Sequence, residues 1–201
     1  TIGDTISSNE DPLPLPRIQI DDPTVSMLFY VNTSPFAGKE GKYLTTRRIH
    51  DRLQQEILSN VSLQVKPTDK IDVFEVRGRG ELQMAVLIET MRREGFELQV
   101  GKPQVIYKEI EGKKCEPMET LVIDVPAEFS GKAIDLVTQR KGDMLVMEPK
   151  GDLQHLEFDI PSRGLIGLRN NMLTATAGNA IMTHRFREYG AYKGEITERM
   201  K

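Results

Sequence analysis

Tryptophan is absent from this 201-residue sequence, and cysteine occurs once, at Cys115. A lone cysteine excludes an internal disulfide framework and favours a reducing compartment, so we expect a cytoplasmic protein. The sequence also lacks an apolar run of the roughly 20 residues that a membrane-spanning helix needs. These absences exclude a disulfide-stapled module and predict no membrane partner.

A strong charge of one sign is absent as well. The 27 basic and 30 acidic residues leave a formal net charge of −3. A balance this close to neutral does not indicate nucleic-acid binding by the chain as a whole, so any anion-binding surface must be local. We expect no DNA partner.

The chain lacks the motifs that mark common catalytic sites. The segment Gly38 to Lys42 is rich in glycine and lysine but lacks the GxxxxGK[ST] spacing of a phosphate-binding loop, and no GxSxG motif occurs. The histidines His50, His155 and His184 have no second histidine or paired cysteine at metal-ligand spacing. We therefore expect no catalytic residue, no metal, no cofactor and no small-molecule substrate in this chain.

One pattern of strands and helices appears twice. Each copy reads strand, helix, strand, strand, helix, strand, with apolar residues alternating in the strands and recurring every three or four residues in the helices. In the first copy the elements are predicted at 24–31, 45–59, 62–66, 71–77, 81–94 and 96–100. In the second copy they are predicted at about 121–125, 133–140, 144–148, 153–160, 165–175 and 180–188.

This order of elements is that of the ferredoxin-like, or split βαβ, fold. The sequence therefore predicts an α+β protein with two tandem ferredoxin-like (βαββαβ) domains, each an antiparallel sheet with two helices on one face. We place the first domain at 23–110 and the second at 111–189. Residues 1–22 are interpreted as the end of a truncated domain plus a proline-rich linker, and residues 190–201 as the start of another truncated domain.

Each copy carries an Arg-Gly pivot before its second helix, at Gly78 and Gly80 in the first copy and at Gly164 in the second. Glycine tolerates the backbone angles that turn a strand directly into a helix. The arginine beside each glycine would suit a phosphate partner. A duplicated unit of this kind indicates docking on a large partner rather than an enzyme with one deep pocket.

The two copies differ in the connection between their first strand and first helix. The first copy has a long loop, Asn32 to Tyr43, whereas residues 126–131 suffice in the second. Long loops in compact domains are usually functional or disordered, and we favour function. Lys39 and Lys42 in this loop precede a helix N-terminus, where backbone N–H groups attract phosphate. We therefore expect the loop and the start of the helix to bind anions.

Base stacking on the sheet, as in RNA-recognition-motif domains, is not expected. That mode needs aromatic side chains on the third strand. Each third strand offers one phenylalanine, Phe74 or Phe158, flanked by acidic residues that repel phosphate. We interpret both phenylalanines as core residues, and docking on folded RNA by loops and helix ends remains open.

Five segments resemble a known family. Those near the first pivot and the domain joint resemble domains III and V of elongation factor G, and the long loop and the second pivot narrow the resemblance to the BipA/TypA family of ribosome-associated GTPases. The resemblance covers nearly the whole chain. The segments are Val76 to Leu82, Lys102 to Glu109, Cys115 to Glu119, Ser34 to Tyr43 and Pro161 to Gly167.

The resemblance implies a translational GTPase that binds the ribosome in its GTP form, near the site used by elongation factors. It also implies roles in large-subunit assembly, in growth under cold or other stress and in virulence regulation. Residues 1–7 would end a β-barrel domain, the domain that binds GTP and Mg would lie upstream, and a family-specific domain would continue beyond Lys201. No residue of this chain is then assigned to GTP turnover.

The residues expected to contact ribosomal RNA or protein are cations in loops, at helix ends and at the pivots. They are Lys39, Lys42, Arg47, Arg48, Arg52, Arg140, Lys141, Arg163 and Arg169. Phosphate contacts of this kind predict a steep dependence of binding on salt. Arg77 and Arg79 stay open between this role and a structural pair with Glu75 or Glu81.

Two other hypotheses remain. A tandem ACT-like module would bind small molecules between subunits, since such domains share this order of elements. The stretch Val125 to Phe129 stands where a glycine-rich ligand loop would follow the first strand of the second copy, which argues against it. A purely structural spacer is the third possibility.

Overall fold

The computed structural model describes Ser8 and residues 22–196. The interpretation of residues 1–22 as a domain end and a linker therefore falls almost wholly outside the described residues, as does the end of the tail after 196. The chain divides into two compact units, with the break between Gln104 and Val105.

The first unit consists of β-strands and two α-helices, which follow one another in the predicted order. Its sheet has the strand order β2-β3-β1-β4, with every neighbouring pair antiparallel, and β5 pairs with β1. The elements are β1 (Val25–Val31), α1 (Thr46–Ser59), β2 (Gln64–Pro67), β3 (Val73–Gly78), α2 (Glu81–Arg93), β4 (Leu98–Val100) and β5 (Gln104–Val105).

The second unit repeats this topology. Its sheet has the order β10-β7-β9-β8, again antiparallel, and β6 pairs with β7. The elements are β6 (Lys108–Ile110), β7 (Lys113–Pro126), a 3-10 turn (Ala127–Phe129), α3 (Ser130–Thr138), β8 (Asp143–Lys150), β9 (Leu153–Pro161), α4 (Ser162–Leu165), α5 (Leu168–Ala175) and β10 (Ile181–Ala191). Both sheets place the fourth and third strands of the repeat on either side of the first, so the predicted fold class is confirmed.

Each unit has its own core between the sheet and its helices. In the first, Ile49 and Leu53 of α1 pack against Phe29, Phe74 and the rest of one buried cluster. Burying such a side chain contributes about 1.5–3 kcal/mol relative to leaving it exposed. The core of the second unit contains Leu121, Ile123, Val125, Ala133, Val137, Leu156, Phe158, Ile160, Leu168, Met172 and Ala180. Both third-strand phenylalanines are buried, as predicted.

Strand β7 is longer than the sequence predicts. It begins at Lys113 rather than near 121, because its first residues pair with β6 on one side and with the end of β10 on the other. Glu111 and Gly112, interpreted as part of the joint between domains, form the turn of the β6–β7 hairpin, with φ angles of 52° and 72°. The sequence predicted the boundary after residue 110, whereas this pairing places residues 108–110 with the second unit.

The second helix of the second copy is divided. The sequence predicts one helix over 165–175, whereas α4 ends at Leu165 and α5 begins at Leu168. Between them Gly167 adopts a φ of 69°, a left-handed conformation that glycine reaches without steric cost.

The glycines at the pivots serve a different purpose from the one predicted. A Cβ atom on Gly78 would lie 2.4 Å from Cε of Met84, and one on Gly164 would lie 2.7 Å from the carbonyl oxygen of Arg140. Gly80 has a φ of −178°, which any residue adopts, and a Cβ there would meet nothing within 4 Å. Lack of space, rather than an unusual backbone angle, therefore favours glycine at Gly164, where the close atom belongs to the backbone, whereas the flexible side chain of Met84 could move away from a Cβ atom at Gly78.

Candidate functional site

The long loop of the first unit folds around a carboxylate. The side chain of Glu97 accepts hydrogen bonds from the backbone N–H groups of Gly38 (3.1 Å), Glu40 (3.2 Å) and Gly41 (3.0 Å). The side-chain amide of Asn32 donates a further hydrogen bond at 2.5 Å. Successive N–H groups that converge in this way form an anion-binding nest.

The charge of Glu97 is stabilised in this nest. Desolvation alone would raise the pKa of Glu97, but the N–H groups of Gly41, Glu40 and Gly38 and the amide of Asn32 lower it below the usual glutamate value. Hydrogen bonds to an ionised group favour its charged form. The ionised side chain of Glu97 is therefore an internal anion that satisfies the backbone N–H donors of the loop.

Backbone contacts tie the loop to the turn between α2 and β4. The N–H groups of Lys42 and Tyr43 donate to the carbonyl oxygen of Gly95 at 2.8 and 3.1 Å, and the N–H of Glu97 donates to the carbonyl oxygen of Tyr43 at 3.2 Å. Gly41 lies so close that a Cβ atom there would be 2.7 Å from Cβ of Glu97. The loop is thus fastened at both the side chain and the backbone of Glu97.

This arrangement corrects one expectation. The sequence suggested that N–H groups of this loop and helix start would bind a phosphate from a partner. The N–H groups of Gly38, Glu40 and Gly41 are occupied by Glu97 instead. An anion from outside would therefore be bound by the side chains of the loop and by the N-terminus of α1, which no side chain caps.

Those side chains point to solvent. Lys39 and Lys42 are exposed, and Nζ of Lys39 lies 4.7 Å from the ring centre of Phe36, which is itself 66% exposed. Arg47 and Arg48 are also exposed, and the guanidinium of Arg48 lies 5.5 Å from the ring centre of Tyr43. The four predicted cations therefore share the end of the first unit formed by the loop and the start of α1.

The start of α1 carries an unusual charge. No acidic residue occupies its first turn, no side chain caps it, and Arg47 and Arg48 are its second and third residues. Cations at a helix N-terminus are unfavourable by about 0.3–1 kcal/mol each, because the helix dipole is positive there. Asp51 is the nearest carboxylate to Arg47, with an N–O distance of 3.9 Å.

Arg52, predicted as a ribosome contact, is held by carboxylates of its own unit. Its Nε and Nη2 donate to the carboxylate of Glu94 at 2.5 and 2.8 Å, and Nη1 donates to Glu56 at 2.9 Å. Only 12% of its side chain is exposed. These hydrogen bonds raise the pKa of Arg52 and lower that of Glu94. Arg52 fastens α1 to the residue after α2.

Arg140 and Arg163 in the second unit are also committed to internal contacts. Arg140 donates to the carbonyl oxygens of Gly164 (2.9 Å) and Ile166 (2.7 Å), where the chain passes from α4 towards α5. Arg163 forms a two-point ion pair with Glu116, a fully buried carboxylate, and only 13% of its own side chain is exposed. Both residues are half-buried and already have internal partners, so they are weaker candidates for a ribosome contact than the exposed cations, and their assignment stays a prediction.

Lys141 and Arg169 keep exposed positions. Lys141 follows α3 and adopts a φ of 66°, at a turn closed by the hydrogen bond from the Gly142 N–H to the carbonyl oxygen of Val137. Arg169 lies in the first turn of α5. In the first unit, Arg77 forms one of the structural pairs that the sequence left open, since its Nη2 pairs with Glu75 at 2.8 Å.

A cluster around the end of β10 was not predicted from the sequence. Nζ of Lys114 lies 4.0 Å from the ring centre of Tyr107 and 4.4 Å from that of Tyr192. Lys193 pairs with Asp143 at 2.6 Å, and its backbone N–H donates to Glu116 at 2.8 Å. Two tyrosines around one lysine, far apart in sequence, give no local signal, so only the pairing of β6, β7 and β10 brings them together.

A histidine lies between two carboxylates on the second sheet. His155 lies between Asp124 (2.6 Å) and Glu157 (3.2 Å), and Lys150 reaches Asp124 at 3.3 Å. The hydrogen bond that His155 donates to Asp124 raises the pKa of His155, and the same bond lowers the pKa of Asp124. Asp124 and Glu157 are thus engaged by basic side chains, and the interpretation that the sheet does not read RNA stays a prediction.

Within Ser8 and 22–196, no three His, Cys, Asp or Glu side chains are grouped so that they could hold a metal ion. In the same part of the chain, no helix is long and apolar enough to cross a membrane.

Comparisons with known proteins give the chain its relatives. Residues 113–200 match the family described as elongation factor G C-terminus. The "Large ribosomal subunit assembly factor BipA" of Synechocystis is 48% identical over 199 residues, and that of Escherichia coli K12 is 47% identical over 200 residues; each alignment covers 98% of this chain. The chain is a relative of BipA. This confirms the family resemblance that its motifs indicate.

The relationship to BipA covers part of those proteins. The Bacillus subtilis BipA is 50% identical over 189 residues, which are 94% of this chain and 31% of that protein. The chain thus spans about a third of the length of the curated relatives it matches, 33% for the two others. A crystal structure from Thermus thermophilus matches 92% of this chain and 44% of that one, with a TM-score of 0.52 at 14% identity, which supports the fold alone.

Proposed function

We propose that this chain is the ribosome-docking part of a BipA-type translational GTPase that takes part in assembly of the large ribosomal subunit. The observation that carries the proposal is the alignment of 98% of the chain, at 47–48% identity, with proteins named large ribosomal subunit assembly factors. On this proposal the protein works on ribosomes in the cytoplasm, and GTP and Mg bind to parts of the protein outside this chain.

The proposed contact residues are the exposed members of the predicted set. In the first unit they are Lys39, Lys42, Arg47 and Arg48, and in the second they are Lys141 and Arg169. Apart from the long Arg47–Asp51 contact, none of the six belongs to an ion pair among the described residues. Cations that protrude without an internal counter-charge suit phosphate groups of ribosomal RNA.

The start of α1 supports the proposal most directly. Arg47 and Arg48 oppose the helix dipole, so their placement lowers the stability of the isolated helix. An external phosphate would turn this destabilisation into a favourable interaction, because it would interact with both the arginines and the helix N-terminus. The ACT-like alternative gains no support from any observation on the described residues.

Charge reversal tests this docking surface. In the protein at its natural full length, Arg47→Glu with Arg48→Glu should weaken binding to ribosomes and reduce the slope of log K against log salt by about 1 for each phosphate that the variant no longer neutralises. Acidic residues suit the first turn of a helix, so folding should not suffer. Binding is measured by co-sedimentation over a series of salt concentrations.

A matched control comes from α2. Arg92 and Arg93 are 75% and 79% exposed, and both lie near Glu89 at the end of that helix. Reversal of this pair changes the net charge of the protein equally. Equal reductions of affinity and salt slope in the two double variants would contradict a specific role for Arg47 and Arg48.

The cellular part of the proposal follows from the resemblance. We propose roles in growth under cold or other stress and a link to virulence regulation. A deletion strain should recover growth at low temperature with the wild-type gene but not with the Arg47/Arg48 variant. Nucleotide binding by residues 1–201 alone would contradict the placement of the GTP site outside this chain.

A further inference from the structure

The tip of the long loop exposes an aromatic ring beside a cation. Phe36 is 66% exposed, the most of any described aromatic side chain, and Nζ of Lys39 lies 4.7 Å from its ring centre. A phenylalanine loses about 1.5–3 kcal/mol of burial free energy in such a position. The ring and the ammonium group therefore form a small composite surface that the described residues of the first unit leave exposed.

The loop that carries this tip is held in one shape. Within it, the N–H of Ala37 donates to the carbonyl oxygen of Ser34 at 3.0 Å, and the N–H of Ser34 donates to the side chain of Asn32 at 3.0 Å. Beneath it, Glu97 accepts three backbone hydrogen bonds of the loop. The conformational entropy of the loop is thus lost on folding and is not lost again on binding.

The charges around the tip favour a polyanion. Lys39, Lys42, Arg47 and Arg48 line this end of the unit, against the exposed carboxylates of Glu40 and Asp51. Single-stranded nucleic acid is bound by this combination of cations that follow the backbone and an aromatic ring that stacks on a base. A protein partner would instead favour a larger apolar patch than Phe36 forms with the exposed Pro35 and Ala37, because the next exposed side chains of the loop are charged.

We propose that Phe36 and Lys39 bind an unpaired nucleotide of ribosomal RNA, with the base stacked on the ring and its phosphate paired with the ammonium group, and that Glu97 is the residue that positions this tip. The proposal rests on the proposed ribosome docking. It adds the chemical class of the contact, an unstacked base, and a residue that acts through the loop rather than on the RNA.

Phe36→Trp tests the stacking contact. The chain contains no tryptophan, so the new side chain adds one emitter that a difference spectrum against the wild-type full-length protein isolates. Stacking on a base should quench its emission when ribosomes are added, and affinity should be retained. The matched control is Leu82→Trp, at a position that is 78% exposed in the first turn of α2, where emission should not change.

Each outcome of this titration has a distinct meaning. A blue shift with stronger emission would mean that the tip enters an apolar site of a ribosomal protein, and it would overturn the RNA contact. Unchanged emission in a protein that still binds ribosomes would overturn the tip as a contact. Failure of the wild-type protein to bind ribosomes would instead overturn the proposed function.

Two further variants separate the contact from its support. Phe36→Ala should weaken ribosome binding by roughly five- to tenfold, the low end of the effect of removing a base-stacking side chain. Glu97→Gln should speed hydrogen exchange at the amides of Gly38, Glu40 and Gly41 and weaken binding by a smaller factor. Faster exchange with unchanged affinity would overturn the positioning role. Glu128→Gln, an exposed carboxylate in the second unit, is the control and should change neither.

Discussion

The partners of each side chain decide which cations of this protein are available to a ligand. Arg52 and Arg163 have carboxylates within hydrogen-bond distance, and Arg140 is bound to carbonyl oxygens. Lys39 and Arg47 protrude into solvent at the same end of the first unit. Residue type and position in a loop or helix predicted all five alike, because the sequence does not show which acidic residue a fold brings near.

The Glu116–Arg163 pair should be the costliest of these contacts to break. Glu116→Gln leaves a guanidinium without its counter-charge at a site where the carboxylate is fully buried. We expect the free energy of unfolding of the second unit to fall by about 3 kcal/mol. Urea denaturation measures the decrease. The exposed Glu109→Gln should change stability by less than about 0.5 kcal/mol, and an equally small effect at Glu116 would contradict the buried pair.

The stability of the second unit should depend on the protonation of His184. The hydrogen bond that His184 donates to Glu119 raises the pKa of His184 above 6.5, against an opposing effect of desolvation and of Arg169. A raised pKa means that the folded state holds the proton more tightly than the unfolded state does. The stabilisation is therefore complete below pH 6.5 and is lost as the pH rises through the folded-state pKa.

Thermal denaturation from about pH 6 to about pH 8.5 checks this dependence. His184→Gln should flatten the curve, and His155, whose pKa is also raised by its hydrogen bond to Asp124, should contribute the slope that remains. An NMR titration gives the folded-state values directly. A pKa of His184 at or below 6.5 would contradict the hydrogen bond to Glu119.

At the scale of elements, the repeated helices and strands were predictable and their irregularities were not. The apolar spacing of Ile49 and Leu53 identified α1, and the alternation of Leu121 with Ile123 identified the centre of β7. The early start of β7 and the break at Gly167 were missed, because each depends on a distant partner: β10 pairs with the start of β7, and Arg140 holds the carbonyl groups at the break.

Gly164, in the first segment of the divided helix, allows the close packing there to be tested by substitution. Gly164→Ala should destabilise the second unit by about 1–3 kcal/mol, since the added methyl group would lie 2.7 Å from the carbonyl oxygen of Arg140. Gly131→Ala is the matched control in α3, where an added Cβ atom would meet nothing within 4 Å. This substitution should stabilise the second unit by about 0.4–1 kcal/mol. Equal effects of the two substitutions in urea denaturation would contradict the close approach.

For the whole molecule, the sequence identified the architecture and the relatives but only part of the candidate site. Two sheets of identical strand order follow from the repeated pattern, and the motifs at both pivots pointed to the family. The nest around Glu97 could not be predicted, because its donors and its acceptor are separated by more than 50 residues. Three backbone donors of the loop thus bind an anion of the protein itself, and phosphate binding by the side chains of the loop stays a prediction.

The crowding at Gly41 has a consequence for genetic screens of this protein. The Cβ atom of any other residue at this position would lie 2.7 Å from Cβ of Glu97, so a substitution would displace the loop from Glu97. Substitutions at Gly41 should therefore score as defects in ribosome function while touching no partner. A screen that assigns every loss-of-function allele to the interface would therefore wrongly include Gly41 among the contact residues.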